Sequence, residues 1–399
     1  MFTDTQLTRL RKDTPGCTDK NHLNNAGSSL MPLPVIKAIK GHIDLESLIG
    51  GYEAHAQTDG QVEETYEEAA KFLNCRSHNV AMTSNATDAF ARALSSVPFE
   101  SGDVILTSED DYISNQIMYM SLQKRMGVRL ERVPCLSSGG IDVNQAEEMV
   151  NKLQPKLVAV THVPTNSGLI QDVNTVGEIC RKHEILYLVD ACQSVGQLPV
   201  DVKEIKCDFL SATMRKFLRG PRGAGFLYVS DRVLESGLEP MFLDMQGAEW
   251  LEKDSYTIQE SARRFEDWEF AYALVHGSRE AFKYANNLGM ENITHRVIAM
   301  AADLRERLSA IDQIEVLDKG QSKCAIVTCR VPLDDYMDLK KHLQSHKINA
   351  GVSLWKFATI DFQKKGVDWA LRLAPHYFNT EGEINQVVEV LGEICLKIN

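Results

Sequence analysis

The chain has 399 residues, of which 44% are hydrophobic and 25% are charged. This composition is typical of a globular protein with one large core and a second, smaller domain. The net charge of -12 argues against a dedicated nucleic-acid-binding protein, although it leaves room for a local basic pocket that holds a small anion.

The first residues, MFTDTQLTRLRKDTPG, lack the apolar segment of a signal peptide, and the chain has no run of about 18 apolar residues. We therefore expect a cytoplasmic protein without a membrane segment. The nine cysteines are scattered and none forms a CxxC pair, which favours reduced thiols in the core. A catalytic cysteine is the alternative, and no metal site is predicted.

Short apolar segments alternate with helical patterns between about residues 80 and 227. Nearly continuous apolar segments are expected for strands that are buried on both faces of a sheet. The alternation predicts an α/β domain with a mostly parallel sheet. The seven candidate strands are NVAMTS, DVILTSE, VRLERVP, KLVAVTHV, ILYLVDA, CDFLSA and GAGFLYV.

The later part of the chain has a different pattern. Residues 270–312 are helical in pattern, and they are followed by two predicted strands (CAIVTCRV and ALRLAP) and two predicted helices (LDDYMDLKKHLQSHK and TEGEINQVVEVLGEICLKI). This order predicts a second, α+β domain. We therefore divide the chain into an N-terminal segment (1–20), a large domain (21–275) and a small C-terminal domain (276–399).

Polar residues follow two of the predicted strands, and ligands of open α/β sheets bind beyond the carboxyl ends of the strands. Ala86 and Thr87 lie where a helix should begin, so their free N–H groups offer a phosphate site. Simple capping by Ser84 or Asn85 is the alternative. Asp190 closes an apolar strand, which is costly unless a charged group meets it, although a helix cap or surface turn would also explain it.

The segment SATMRKFLRGPRG contains four basic residues, Arg215, Lys216, Arg219 and Arg222. A basic surface loop is the alternative, but the glycines and proline predict a tightly shaped loop. Neighbouring arginine charges and partial burial should lower the pKa of the lysine and free its amine as a nucleophile. The ligand that fits this amine, the phosphate site and Asp190 is pyridoxal 5'-phosphate, whose carbonyl forms a Schiff base with lysine and whose ring nitrogen pairs with a carboxylate. The arginines help to neutralise the phosphate.

Nearly the whole sequence resembles the class V aminotransferase group of fold-type I pyridoxal-phosphate enzymes. This group includes cysteine desulfurases, selenocysteine lyases and isopenicillin N epimerase-like proteins. The motifs occur in the order of the family: LNNAGSSLMP, TSNATDA, DYISN, VDACQSVGQLPVDV, TMRKFLRGPRG and LRLAPHYFNTEGEI. The resemblance implies a large domain with a mostly parallel seven-stranded sheet, a smaller α+β C-terminal domain and a homodimer that acts on an amino acid.

The resemblance also implies a role for each matched residue. Lys216 is the catalytic residue that binds the cofactor covalently. The remaining cofactor contacts are Ala86, Thr87, Thr213 and Arg215 at the phosphate, Asp190 at the ring nitrogen, Gln193 and Thr165 near the ring hydroxyl, and Tyr112 stacked on the ring. For the hydroxyl, Asn166 is an open alternative to Thr165. The substrate-binding residues are Asn25, Ala26, Gly27 and Arg372, of which Arg372 grips the substrate carboxylate.

The sequence departs from the family pattern in three places. Arg215 replaces a histidine before the lysine, and an arginine cannot shuttle protons because it stays charged. In RRFEDWE, Trp268 or Glu269 stands where the family has a threonine that contacts the partner's phosphate. The stretch INAGVSLWKFATIDFQKKGVDWALRL lacks the mobile cysteine of desulfurases. The nearest cysteines, Cys324 and Cys329, lie on a predicted strand, so we discount a desulfurase that transfers a persulfide.

We favour a C–S lyase that eliminates a sulfur group from a cysteine-derived amino acid, because TMRKFLRGPRG and GGYEA most resemble cysteine-free lyases and epimerase-type members. Transamination and epimerisation are the alternatives. Tyr112 in place of histidine removes one possible acid for the leaving group, which weakens the lyase interpretation. A non-catalytic binding protein is a distant alternative, and the retention of Lys216, Asp190 and Arg372 argues against it.

Overall fold

The structure is a computed structural model that describes residues 2–398, with side chains described through residue 396. The outer ends of the predicted segments, residues 1 and 399, lie outside the described residues. The helices are α1 (Asp4–Lys12), α2 (Leu33–Ile49), α3 (Gly51–Leu73), α4 (Ala86–Ser96), α5 (Ile113–Met126), α6 (Val143–Leu153), α7 (Val173–Lys182), α8 (Val202–Ile205), α9 (Asp231–Glu235), α10 (Tyr272–Leu288), α11 (Met290–Ser309), α12 (Tyr336–Ser345), α13 (Thr359–Lys365) and α14 (Glu381–Ile398).

The strands fall into one large sheet, one smaller sheet and two two-stranded pairs. They are β1 (Asn21–His22), β2 (Val80–Thr83), β3 (Val104–Ser108), β4 (Arg129–Val133), β5 (Leu157–Thr161), β6 (Leu186–Asp190), β7 (Phe209–Thr213), β8 (Gly225–Val229), β9 (Ala248–Glu252), β10 (Ser255–Ile258), β11 (Glu315–Val316), β12 (Val327–Arg330), β13 (Ile348–Asn349), β14 (Gly351–Leu354) and β15 (Trp369–Leu373).

The large sheet has seven strands in the order β2-β8-β7-β6-β5-β3-β4. Every strand predicted for this sheet is present, so the predicted fold class is confirmed. Only β8 runs in the opposite direction to the other six strands. The short connection from Thr213 to Gly225 has no room for the long crossover that a parallel strand needs, so the chain turns back. Lys216 lies in this connection.

Successive residues of the strands pack into two different hydrophobic clusters, because side chains alternate between the two faces of a sheet. In β2, Val80 and Met82 belong to one cluster and Ala81 to the other. Both faces are therefore covered, which explains why the strands have nearly continuous apolar sequences. Within residues 2–398, the helices lack the combined length and hydrophobicity that a membrane span requires.

The C-terminal part contains a four-stranded antiparallel sheet in the order β11-β12-β15-β14. The helical pattern of residues 270–312 is confirmed, but it forms two helices that part at Gly289, whose φ of +78° favours glycine. The predicted boundary at residue 275 falls inside α10, which packs against α2 and α3. The division into domains therefore stays a prediction.

Candidate active site

A cavity of about 330 Å³ opens at the carboxyl ends of the parallel strands β2, β5, β6 and β7. This is the edge at which open α/β sheets bind their ligands. Four different strand ends contribute to it, so residues that are distant in sequence meet there. All of the predicted cofactor contacts line this cavity: Ala86, Thr87, Tyr112, Thr165, Asp190, Gln193, Thr213, Arg215 and Lys216.

One end of the cavity is suited to an anion. Helix α4 begins at Ala86, and the Asn85 side chain caps it by accepting a hydrogen bond from the N–H of Asp88 at 3.0 Å. The cap satisfies only one of the free N–H groups of the first turn, so capping and anion binding are compatible. A Cβ atom at Gly225 would stand 2.5 Å from the carbonyl carbon of Asn85, so only glycine lets β8 approach the helix so closely. Arg215 lines the same cavity.

A buried carboxylate lies at the end of β6. Asp190 accepts hydrogen bonds from the N–H of Cys192 at 2.9 Å and from the Asn115 side chain at 3.1 Å. The same Asn115 nitrogen donates to Asp111 at 3.0 Å, and Thr161 donates to Asp111 at 2.6 Å. Burial raises the pKa of Asp111. This network holds the Asp190 carboxylate in one orientation.

Sequence reasoning missed both Asn115 and Asp111, although they lie in the quoted motif DYISN. Their spacing of four residues is the signal that was available, because it places an acceptor and a donor next to each other at the start of α5. Asn115 lines the cavity itself.

The side chain of Lys216 is buried, and its Nζ lies 6.0 Å from the centre of the Tyr112 ring. Burial is the main cause that lowers the pKa of Lys216, and the charges of Arg215 and Arg372 lower it further. The sequence analysis named the neighbouring arginines first as the cause of the lowered lysine pKa. In the structure, desolvation of the ammonium is the larger cause.

Arg219 is not a neighbour of the phosphate site, which corrects the prediction that all the arginines of this segment help to neutralise it. Its guanidinium is buried and donates to the carbonyl of Leu30 at 2.8 Å and to the hydroxyls of Tyr377 and Thr14 at 2.6 Å each. Arg219 therefore fastens the N-terminal segment to the C-terminal part of the chain, and Arg222 is the further arginine that lines the cavity.

Arg372 lies on β15 beside the cavity. Its Nη1 donates to the carbonyl and the hydroxyl of Thr165 at 3.0 and 2.8 Å. Its buried Nε has no partner among the described residues, and neither has the buried Oε1 of Gln193. Burial lowers the pKa of Arg372 to about 10. Buried polar atoms without partners are costly, so both atoms are suited to accept a hydrogen bond from a ligand or donate one to it.

The structure also distinguishes Thr165 from Asn166. Thr165 lines the cavity and its hydroxyl accepts a hydrogen bond from Gln193 at 2.9 Å. Asn166 donates to Asp361 at 2.6 Å and lines a different cavity. Of the two residues, only Thr165 therefore lines the cavity that holds the other predicted cofactor contacts.

The LNNAGSS segment contributes through its backbone rather than through the side chain of Asn25. The Asn25 side chain is buried, donates to the carbonyl of Ala374 at 2.7 Å and accepts from Ser29 at 2.6 Å. The Ala26 carbonyl accepts from Gln193, and the Gly27 carbonyl accepts from Arg215. The side chain that reaches Arg372 is that of Asn24, at 3.5 Å, so the structure does not place the Asn25 side chain at the predicted substrate site.

No cysteine near the cavity has the setting of a reactive thiolate. Cys192 lines the cavity, but burial and the charge of Asp190 raise the pKa of its thiol. Cys324 and Cys329 are buried, and burial raises their pKa values as well. Reactive cysteines need a positive and accessible environment.

The stretch INAGVSLWKFATIDFQKKGVDWALRL, which lacks the mobile cysteine of desulfurases, is mostly regular secondary structure. It forms β14 and the short helix α13. Lys364 of α13 pairs with Glu109 at 2.5 Å, and Asp361 accepts the hydrogen bond from Asn166. These contacts attach α13 to the loops that follow β3 and β5 of the large sheet.

Comparisons with known proteins agree with this architecture. Residues 21–387 match the model of the aminotransferase class-V family. The chain is 29% identical to a probable cysteine desulfurase of Methanothermobacter thermautotrophicus, over 97% of each chain, and 27% identical to one of Pyrococcus abyssi, over 96% of each. Among solved structures, the apo cysteine desulfurase of Thermococcus onnurineus superposes with a TM-score of 0.89 at 24% identity, over 98% of each chain. The cystine C–S lyase C-DES, solved with its product cysteine persulfide, gives a TM-score of 0.84 at 21% identity, over 95% of this chain and 99% of that one.

Proposed function

The chain belongs to the class-V aminotransferase family of pyridoxal-phosphate-dependent enzymes, and on that premise we propose that it is a C–S lyase acting on a cysteine-derived amino acid. The observation that carries the proposal is that Lys216 and Asp190 line one cavity, with Arg372 bonded to its lining residue Thr165, while burial raises the pKa of the cysteine that lines the cavity, Cys192. Lys216 and Asp190 suit the cofactor, and Arg372 suits the carboxylate of an amino acid. Without a thiolate beside the cavity, the enzyme has no cysteine that could accept the sulfur.

The residues of the cavity fit the cofactor group by group. The start of α4, Thr213 and Arg215 would hold the phosphate, and Asp190 would hold the ring nitrogen in its protonated form. The unpartnered Oε1 of Gln193 would accept the hydrogen bond of the ring hydroxyl. When bound, the cofactor withdraws electrons from Cα of the amino acid.

The protein side chains then have separate tasks. Lys216 takes the Cα proton as a general base, a task that its lowered pKa favours because more of the amine is unprotonated near neutral pH. Arg372 holds the substrate carboxylate through its charge and its unpartnered Nε. The sulfur group leaves from the β-carbon with the electrons of the broken C–S bond, as a thiol, a persulfide from cystine or a sulfenate from a sulfoxide. Water then hydrolyses the remaining three-carbon fragment to pyruvate and ammonium.

The comparisons favour cleavage of a C–S bond over transamination. The curated relatives reported above are named probable cysteine desulfurases, and one solved neighbour is named a cystine C–S lyase. Persulfide transfer is disfavoured because residues 348–373, the stretch that resembles the mobile-cysteine segment of desulfurases, contain no cysteine. Release of the sulfur product into solution therefore suits this chain better than its capture on a protein thiol.

A product assay distinguishes the candidate reactions. The holoenzyme is incubated with cystine, S-alkyl cysteines and cysteine sulfoxides, and pyruvate and ammonium are followed. We expect the two products to accumulate in equal amounts over many turnovers. A single equivalent of keto acid per site without ammonium, with turnover restored by a second keto acid, would instead establish transamination.

Removal of Arg372 tests its predicted grip on the carboxylate. For Arg372→Ala we expect kcat/KM to fall by about 30- to 1000-fold, mainly through KM, since a lost charged hydrogen bond in a buried pair costs about 2–4 kcal/mol. Arg330→Ala is the matched control, because Arg330 lies exposed on the neighbouring strand β12. An unchanged KM for Arg372→Ala would assign the carboxylate to another residue.

We also propose a homodimer in the cytoplasm. In support, exposed Tyr52 and Trp268 line a second cavity of about 510 Å³, and Trp268 lies in the RRFEDWE segment that resembles a subunit-crossing element. All nine cysteines are free thiols, as expected in a reducing compartment.

A further inference from the structure

Two histidines and a glutamate come together outside the active site. His342 lies on α12, His346 caps the end of α12, and Glu393 lies on α14. One ligand atom from each lies within 4.8 Å of the other two. None of the three lines the cofactor cavity, and sequence reasoning, which predicted no metal site, made no use of the His-x-x-x-His spacing.

Helix geometry brings the two histidines together, because residues four apart lie on the same helix face. Their ring centres are 4.7 Å apart. The Nδ1 of His346 lies 3.0 Å from the carbonyl oxygen of His342. A carbonyl can only accept, so Nδ1 carries the proton and Nε2 of the neutral ring presents its lone pair.

This arrangement of His346 is the one that metal-binding histidines adopt. Their second ring nitrogen almost always donates to a carbonyl or a carboxylate, which fixes the tautomer and the ring orientation. The Ser345 hydroxyl donates to the same carbonyl at 2.7 Å and also lies 3.2 Å from Nδ1. The ring is therefore oriented before any ion binds.

Glu393 reaches the histidines because α14 is fastened to the end of α12. Gln386 of α14 donates to the carbonyl of His346 at 3.1 Å. Glu393 follows Gln386 by seven residues, which is two helical turns, so it lies on the same face of α14. The histidines are half-buried and the glutamate is exposed, which leaves a side of the cluster open to water.

We propose that His342, His346 and Glu393 form a binding site for a divalent cation of the zinc type, which links α12 to α14. Two imidazoles and one carboxylate, with a water as fourth ligand, suit tetrahedral Zn²⁺. Zinc bonds of about 2.0–2.2 Å place ligand atoms roughly 3.4 Å apart, a distance that small side-chain rotations reach from the present arrangement. Mg²⁺ and Ca²⁺ prefer oxygen ligands and do not match.

Zinc titration of the untagged holoenzyme tests the proposal, after treatment with EDTA and removal of the chelator. We expect calorimetry to show one strong equivalent of Zn²⁺ per chain, a rise of the unfolding temperature with Zn²⁺, and neither effect with Mg²⁺. In His346→Gln and in Glu393→Gln we expect Zn²⁺ binding to weaken by about tenfold or more. His295→Gln is the matched control, because His295 is exposed on α11, and it should bind as the wild type does.

The proposal is overturned if the wild type binds no Zn²⁺, or if the double variant of His346 and Glu393 binds it with unchanged affinity. The second result would place the ion on other groups, such as the cysteines. Glu393 is exposed, so Glu393→Gln should fold normally. If the His346 variant fails to fold, unchanged Zn²⁺ binding by Glu393→Gln alone overturns the proposal. Neither readout depends on turnover, so the outcome is independent of the proposed reaction.

Discussion

Replacement of Lys216 by alanine is expected to abolish the covalent attachment of the cofactor and to reduce kcat/KM below about one ten-thousandth of the wild-type value. Proton transfer by a positioned group contributes about 10²- to 10⁴-fold, and the lost exchange between lysine and substrate amine adds to this. Lys216 is the lysine that lines the cavity, and its burial keeps its pKa low. Loss of the yellow colour and of pyruvate release measures the two effects.

The matched control for this variant is Lys203→Ala. Lys203 is exposed, and its amine donates to Asn74 at the protein surface. We expect it to keep both the colour and the rate. A Lys216→Ala protein that retained turnover would remove the chemical basis of the proposed function.

Asp190→Ala is expected to lower kcat by about 10²- to 10⁴-fold. A buried charge that loses its ionic partner costs about 3–5 kcal/mol, and here the cost falls on the protonated ring that withdraws electrons from Cα. The Asn115 amide and the N–H of Cys192 would lose their acceptor in the same variant. Steady-state kinetics and the absorption spectrum of the bound cofactor measure the effect.

Asp172→Ala separates this role from simple helix capping, which sequence reasoning kept as an alternative for Asp190. Asp172 is exposed and caps α7 by accepting from the N–H of Thr175 at 3.0 Å. Its loss should cost about 0.5–2 kcal/mol of stability and leave kcat unchanged. If Asp190→Ala behaved in the same way, Asp190 would be a cap and not a cofactor contact.

The large sheet could be predicted from the sequence because its strands are buried on both faces and are therefore nearly continuous in apolar residues. The hairpin of β9 and β10 could not, because most of its residues are exposed on both faces and alternation is lost. Helix α13 was hidden for another reason. It has only seven residues, and its position depends on ion pairs such as Lys364–Glu109 that join distant parts of the chain.

In the candidate site, too, some residues could be predicted from the sequence and others could not. Asp190 and Thr213 are the last residues of β6 and β7, and Lys216 follows β7 closely, so the topology of the sheet brings them together. Arg219 stands in the same basic segment but points away, because its partners Thr14 and Tyr377 lie at the two ends of the sequence. Likewise, no local sequence pattern indicates which of the two neighbouring asparagines contacts Arg372; in the structure it is Asn24 and not Asn25.

The central claim is that the amine of Lys216 holds the cofactor. Borohydride reduction of the freshly purified holoenzyme makes this bond permanent, and peptide mass spectrometry then locates the pyridoxyl group. The account predicts one modified peptide, with the group on Lys216 and none on Lys203. A coloured protein whose label sits on another lysine, with residue 216 unmodified, would contradict it.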